Sequence, residues 1–228
     1  MDLIAVTGNS GKTVFSFYLS QVLSKQGKRV FLISSDSGQP AYKMLFPDRK
    51  SDEKRSIGRL LSLAAISEAK IFDNAYPINK NLMMLSYADG EGPNTYPEIA
   101  EVSLQALLSK LASIADVVIV DTATAQNRID RFVLSAGPKQ IFLATADEKG
   151  YYYRKNYKTG ADAMQVLFQN STDNALSDVL ETYESDAPVY LLPYCRGFSG
   201  IYNGIDISDV VPRRKYRKTL YQIIGDMK

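Results

Sequence analysis

The chain has 228 residues, 45% hydrophobic and 23% charged, a balance that suits one α/β domain or a small two-domain protein able to bury a sizeable core. Its 27 basic and 25 acidic side chains leave a formal charge of +2, too little to imply nucleic acid as the main partner, so any such contact must come from a local patch. With no histidine and one cysteine, His-based acid–base or metal chemistry, an internal disulfide and a Cys-rich cluster are excluded, and any catalysis rests on carboxylates, lysine, hydroxyls and bound metal.

The first predicted element carries chemistry. Residues 3–6 are a short apolar strand that meets Gly8 and Gly11, then Lys12 and Thr13. A helical pattern of Val14, Phe15, Tyr18, Leu19, Val22 and Leu23 follows and stops at Gly27. Strand, glycine loop and helix in this order make a phosphate-binding loop. Glycines let the backbone curl so that successive amides of Gly8, Asn9, Ser10, Gly11, Lys12, Thr13 and Val14 surround a phosphate, and the helix N-terminus adds its positive end. Lys12 supplies a mobile charge for the β- and γ-phosphates, and Thr13 a hydroxyl for Mg²⁺. The common form of the motif has a further glycine where this chain has Val6. No basic leader or apolar segment stands ahead of the strand, and no apolar run approaches the roughly 20 residues of a membrane span, so the expected location is the cytoplasm.

Residues 29–33 read as a buried strand whose end carries the loop 34–39, at the carboxyl edge of a parallel sheet where ligands usually bind. A polar connection spans 47–56, an amphipathic helix 57–65, and a further helical turn or loop 68–76. A strand over 81–87 ends in the turn 88–93, and a long helix runs from about 97 to 112. Residues 116–121 place four apolar β-formers before Asp121, as in a central strand delivering a carboxylate to the phosphate-loop edge, where it holds Mg²⁺ through a water. Beyond it the spacing predicts strands over 140–145, 164–170 and 189–192, a Tyr-rich helix over 149–158 and a helix over 175–183. A loop-rich stretch covers 195–209, and a basic helix covers 213–227. This alternation predicts a three-layer, doubly wound, mostly parallel α/β sheet with right-handed crossovers, in one domain over 1–228.

These segments together resemble the MinD/ParA group of P-loop ATPases, including the CpaE/TadZ branch, from end to end. The glycine loop is similar to that group's deviant K-G-G-x-G-K-T, with Thr7 in place of the signature lysine and Asn9 in place of the second glycine. Residues 30–39 resemble the switch I segment, with Asp36 at its second aspartate and Ser34 at its first. Residues 121–126 resemble switch II without its usual glycine or proline. Residues 166–170 resemble the strand ending in the asparagine that reads adenine, and 188–193 the next strand and its loop. The resemblance implies bound ATP or ADP with Mg²⁺, Lys12 on the phosphates and Thr13, Asp36 and Asp121 at the metal. Asp36 then orients the attacking water, and Asn170 and Pro193 meet the base. It also implies an ATP-dependent homodimer and a protein partner, in the positioning, partition or assembly of a larger machine. Because Thr7 cannot reach a dimer partner's phosphates as lysine does, slow or partner-dependent hydrolysis is expected.

Other readings stand beside these. Asp36 and Asn170 are also ordinary turn and strand-end residues. Arg213, Arg214, Lys215, Arg217 and Lys218 form the densest basic cluster, either a solvated helix face or a weak contact with anionic membrane or DNA, which would place the protein peripherally at the membrane. Tyr151 to Tyr153 read as amphipathic packing, and Cys195 as an inert thiol. A catalytically weak nucleotide-binding scaffold, and a ligase of the dethiobiotin synthetase type, are the alternative functions.

Overall fold

The computed structural model describes residues 1–50, 52, 54–157, 162–169 and 189–227. Its centre is an eight-stranded sheet in the order β3-β4-β2-β5-β1-β6-β7-β8. The strands are β1 (Asp2–Gly8), β2 (Val30–Ser34), β3 (Tyr76–Asn79), β4 (Leu82–Leu85), β5 (Val117–Asp121), β6 (Lys139–Thr145), β7 (Met164–Phe168) and β8 (Val189–Leu192). Every pairing is parallel except that of β3 with β4. The mostly parallel α/β architecture is therefore the one the sequence predicts.

The helices are α1 (Lys12–Lys25), α2 (Ala41–Leu45), α3 (Ile57–Leu61), α4 (Glu68–Asn74), α5 (Glu101–Ile114), α6 (Arg128–Ser135), α7 (Glu148–Asn156), α8 (Arg196–Ile201) and α9 (Arg214–Asp226). They cover both faces of the sheet, since a parallel sheet must bury both. Side-chain alternation sorts the core: Ile4 and Val6 of β1 point into a cluster with Phe15 and Leu19 of α1 and with Phe198 and Tyr216 of α8 and α9. Ala5 points the other way, into a cluster with Ile57, Leu60, Leu104, Leu107 and Ile129. A smaller cluster sets Phe142, Ala144 and Leu167 against Tyr151, Tyr153 and Tyr157, so the Tyr-rich helix packs two of its three tyrosines while Tyr152 stays exposed.

The structure departs from the sequence reading in five places. Strand β3 replaces the end of a helical turn; its Pro77 sits in an edge strand, where a missing N–H costs no central ladder bond. Helix α5 begins at Glu101 because Ile99 packs on the core and Glu98 pairs with Arg128 of α6. Helices α2 and α6 occupy stretches where no helix is predicted. The region 195–209 contains α8 and the 3₁₀ turn Ile207–Asp209. The helix predicted over 175–183, and the end of the predicted 164–170 strand at Asn170, lie outside the described residues.

The register decides what shares an edge. Val6 pairs with Asp121 and with Ile141, and Ser34 pairs with Asp121. The carboxyl ends of β1, β2, β5 and β6 thus bring Gly8, Ser34, Asp121 and Thr145 side by side.

Candidate functional site

The loop between β1 and α1 is held by close backbone contact that only glycine permits. Gly8 has φ 140°, and a Cβ there would lie 1.7 Å from the carbonyl oxygen of Leu143 in β6. Gly11, at φ 74°, takes the left-handed conformation at the N-cap of α1. Asn9 does what a glycine in its place could not: its amide donates to Thr145 Oγ1 at 2.9 Å, and its side-chain oxygen accepts from the Thr145 amide at 3.0 Å. Thr145 Oγ1 in turn donates to Asp147 Oδ1 at 2.7 Å, and Asp147 caps α7. The loop is so clamped onto β6. Ser10 is exposed at its tip, and Val14 is buried in α1.

Lys12, only 7% exposed, extends back under the loop. Its ammonium donates to the Gly8 carbonyl at 3.0 Å and to Thr124 Oγ1 at 2.9 Å. Burial lowers its pKa, and Asp121, Asp36 and Asp130 oppose that shift with their negative charge. Asp121, 3% exposed, has its carboxyl pushed up to about 6 by burial, against the pull of Lys12 and the Thr13 side chain. Its Oδ1 has no hydrogen-bond partner among the described residues, nor has the buried hydroxyl of Ser34 beside it. An unpaired buried carboxylate oxygen is costly, so a hard cation at this point would relieve the protein of an unmet acceptor. No group of three or more acidic, His or Cys side chains among the described residues is arranged to hold an ion unaided. That donor set suits Mg²⁺, which keeps several waters and takes one or two carboxylates together with phosphate oxygens.

Asp36 stands at the end of β2, half-buried, with Oδ1 accepting from the Gly38 amide at 2.9 Å. It caps a turn, as the sequence allows, and its charge also acts on Lys12 and Asp121. Thr7 is fully buried, its hydroxyl 3.5 Å from the Ile141 carbonyl and against the Tyr157 phenol. Tyr157 also bonds the Gln126 side chain, and Tyr153 donates to the Thr124 carbonyl at 3.4 Å. Tyr157, which caps the C-terminus of α7, therefore covers position 7, and with Tyr153 it holds the segment after β5.

Pro193, with Gln169 and Tyr194, lines a cavity of about 470 Å³ that is closed on another side by Arg213, Arg214 and Lys215. Asn170 lies outside the described residues. Arg213, Arg214, Lys215, Arg217 and Lys218 are all exposed, while Tyr216, Leu220, Ile223 and Ile224 of the same helix are buried.

Sequence reasoning missed Asp130, Ser35, Asn127, Thr124 and Thr145. Asp130 is fully buried, and burial pushes its carboxyl up to about 6 against hydrogen bonds from Ser35, Asn127 and Ala123. One signal was available: Asn127 and Asp130 have capping-box spacing ahead of the apolar Ile129 and Val133, and the structure contains that box.

No protein-family profile matches the chain, and no curated protein matches it in sequence. Solved structures do match it in shape. A ParA family ATPase from Chlorobium tepidum TLS is 13% identical, with a TM-score of 0.76 over 100% of this chain and 98% of that one. The septum site-determining protein MinD from Pyrococcus horikoshii OT3, complexed with Mg-ADP, is 14% identical, with a TM-score of 0.68 over 100% and 96%. A variant of Cyanothece McdA in complex with ATP is 17% identical, with a TM-score of 0.67 over 100% and 96%. The fold is that of the ParA and MinD ATPases along the whole chain.

Proposed function

We propose that the chain is a MinD/ParA-like P-loop ATPase, one nucleotide-binding domain over residues 1–228 that binds ATP or ADP with Mg²⁺ and acts as a nucleotide-dependent switch. One observation carries the reading: Lys12 and Asp121 share a buried edge beneath a loop too tight for any side chain at Gly8, and an Asp121 oxygen there lacks a partner. The amides of Gly8 to Val14 surround the phosphates, and Lys12 leaves Gly8 and Thr124 to hold them. Thr13 and Asp121 would hold Mg²⁺ with Asp36 beside them, and the ion would supply charge neutralisation for the phosphate oxygens. Asp36 orients the attacking water, and Pro193 meets the base from the cavity it lines, with the resemblance assigning Asn170, outside the described residues, to the same base.

The bound nucleotide favours a homodimer or partner-binding state, and the switch serves positioning, partition or assembly of a larger machine in the cytoplasm. Hydrolysis is slow without a partner, because Thr7 is short, uncharged and covered by Tyr157. That same cover favours the second reading, a nucleotide-binding scaffold with little turnover. Contact of α9 with anionic membrane or DNA would be electrostatic only, since its apolar side is already in the core. No helix among the described residues is long and apolar enough to cross a membrane.

The deciding measurement is light-scattering mass after size exclusion with Mg²⁺ and ATP, ADP or no nucleotide, with Lys12→Ala as control. A dimer formed with ATP and lost in the variant is expected. An unchanged mass with ATP demonstrably bound favours the scaffold, and no ATP binding at all removes the proposal. Phosphate release below roughly 1 s⁻¹, the low end of ordinary enzyme turnover, is expected for the isolated protein.

A further inference from the structure

We infer that Asp130 is a positioning residue for the metal-facing edge, clamping the end of β2 to the turn that follows β5. The inference rests on the nucleotide reading above. Its Oδ1 accepts the Ser35 hydroxyl at 2.6 Å, and its Oδ2 accepts the Ala123 amide at 3.2 Å and the Asn127 amide at 3.1 Å. Ser35 Oγ also accepts from the Ala123 amide at 2.9 Å and lies 3.3 Å from the Asp121 carbonyl, while the Ser35 amide donates to that carbonyl at 3.1 Å. Asn127 closes the ring, its amide group donating to the Ser35 carbonyl at 2.6 Å.

Helix capping explains only part of this. The capping box accounts for the Asn127 bonds to Asp130, and it would be complete with Asp130 half exposed. The bonds to Ser35 and Ala123 leave the helix and reach the two segments that carry Asp36 and Asp121. A carboxylate is fully buried to make them, which is a cost that capping alone does not require. Groups one shell out from a metal commonly orient those that face it. Here the clamp fixes the carbonyl of Asp121, the amide two residues beyond it, and the residue before Asp36, so the separation of the two carboxylates depends on Asp130.

The test is the affinity of the intact chain for a fluorescent ATP analogue, measured with Mg²⁺ and with EDTA, for wild type, Ser35→Ala, Asp130→Ala and Asp130→Asn. The asparagine can keep its oxygen on the two amides and donate to a reversed Ser35 hydroxyl, so it serves as the rescue. In Ser35→Ala and Asp130→Ala the gain in affinity due to Mg²⁺ should shrink by about 10- to 100-fold, the range for such supporting groups, with affinity in EDTA unchanged and the gain largely restored in Asp130→Asn. Folded alanine variants that keep the full Mg²⁺ gain, or that lose affinity equally in Mg²⁺ and EDTA, overturn the inference. Should Asp130→Ala not fold, Ser35→Ala decides. Absence of Mg²⁺-dependent binding in the wild type would instead remove the nucleotide reading itself, and this inference with it.

Discussion

The two edges of the one sheet treat charge in opposite ways. At the amino edge, Arg29 meets Asp116 just before β5, with its guanidinium 2.8 Å from Oδ1 and its backbone amide 2.8 Å from Oδ2. Arg29 is exposed and Asp116 about one-third so, and the Arg29 bonds hold the Asp116 carboxyl down to about 2. Asp121 closes the same strand at the carboxyl edge, where burial pushes its carboxyl up to about 6. Four strand residues, Val117 to Val120, separate a carboxylate with both oxygens bonded from one with an oxygen unpaired. Solvent and completeness of partners account for the difference. The amino edge is at rest, whereas the carboxyl edge keeps buried charge, which on the proposed function becomes favourable only when phosphate and cation arrive.

The largest expected effect comes from closing the space at the carboxyl edge. Gly8→Ala puts a Cβ 1.7 Å from the Leu143 oxygen at a positive φ, and should cost at least about 3 kcal/mol through overpacking and backbone strain. Gly137, on the turn leading to the amino end of β6, has φ 69° and open space around it, so Gly137→Ala should cost only about 1 kcal/mol. Urea unfolding of both variants measures the contrast; equal losses would erase it. Next comes Lys12→Ala, which removes the buried charged donor that the proposed function puts on the phosphates and should weaken ATP binding by roughly 10- to 100-fold or more, read by calorimetry.

Asp121→Asn sharpens the comparison in the opposite direction. Because the folded-state carboxyls of Asp121 and Asp130 lie near 6, above the usual 3.8, the folded protein takes up protons before the unfolded chain does. Their favourable contribution is therefore complete below about pH 4 and is lost as the pH rises through about 6. Asparagine carries no charge to bury, so near neutral pH the nucleotide-free variant should be more stable than wild type by about 1–3 kcal/mol, with the advantage shrinking toward about pH 4. Chemical unfolding at the two pH values measures this. The same variant should lose Mg²⁺-dependent ATP binding, the trade expected of a residue placed for a ligand. A variant no more stable than wild type near neutrality would mean that Asp121 is as much at rest as Asp116.

Local order in the chain explains what the sequence could disclose. Gly8, Gly11, Lys12 and Thr13 are neighbours whose spacing alone specifies the loop, and Asp121 announces itself as a charge closing an apolar run. The alternation of strands and helices was enough for the architecture. The clamp of Ser35 with Asn127 and Asp130 joins two segments far apart in sequence, and its only local trace is a capping box on a helix of eight residues rich in charge. Strand β3 was hidden because Pro77 argues against a strand until its place at the sheet edge is known. Thr7 shows the missing lysine in sequence, but that Tyr157 covers the position follows only from the packing of α7 on β6.

The smallest effect is expected at the amino edge. Arg29→Ala removes a bidentate ion pair, yet both partners stand in water, where the pair's attraction is screened and each charge is solvated when alone. The melting temperature should be unchanged within error at moderate salt, and so should ATP affinity, because β5 is fixed between β1 and β2 by register and core packing rather than by this pair. Asp116 has its bonds satisfied and exposed, so removing Arg29 leaves no buried group in want of a partner. If Arg29→Ala nevertheless weakened ATP binding, strain would be passing along β5 to Asp121, and the two edges would have to be treated as one coupled system.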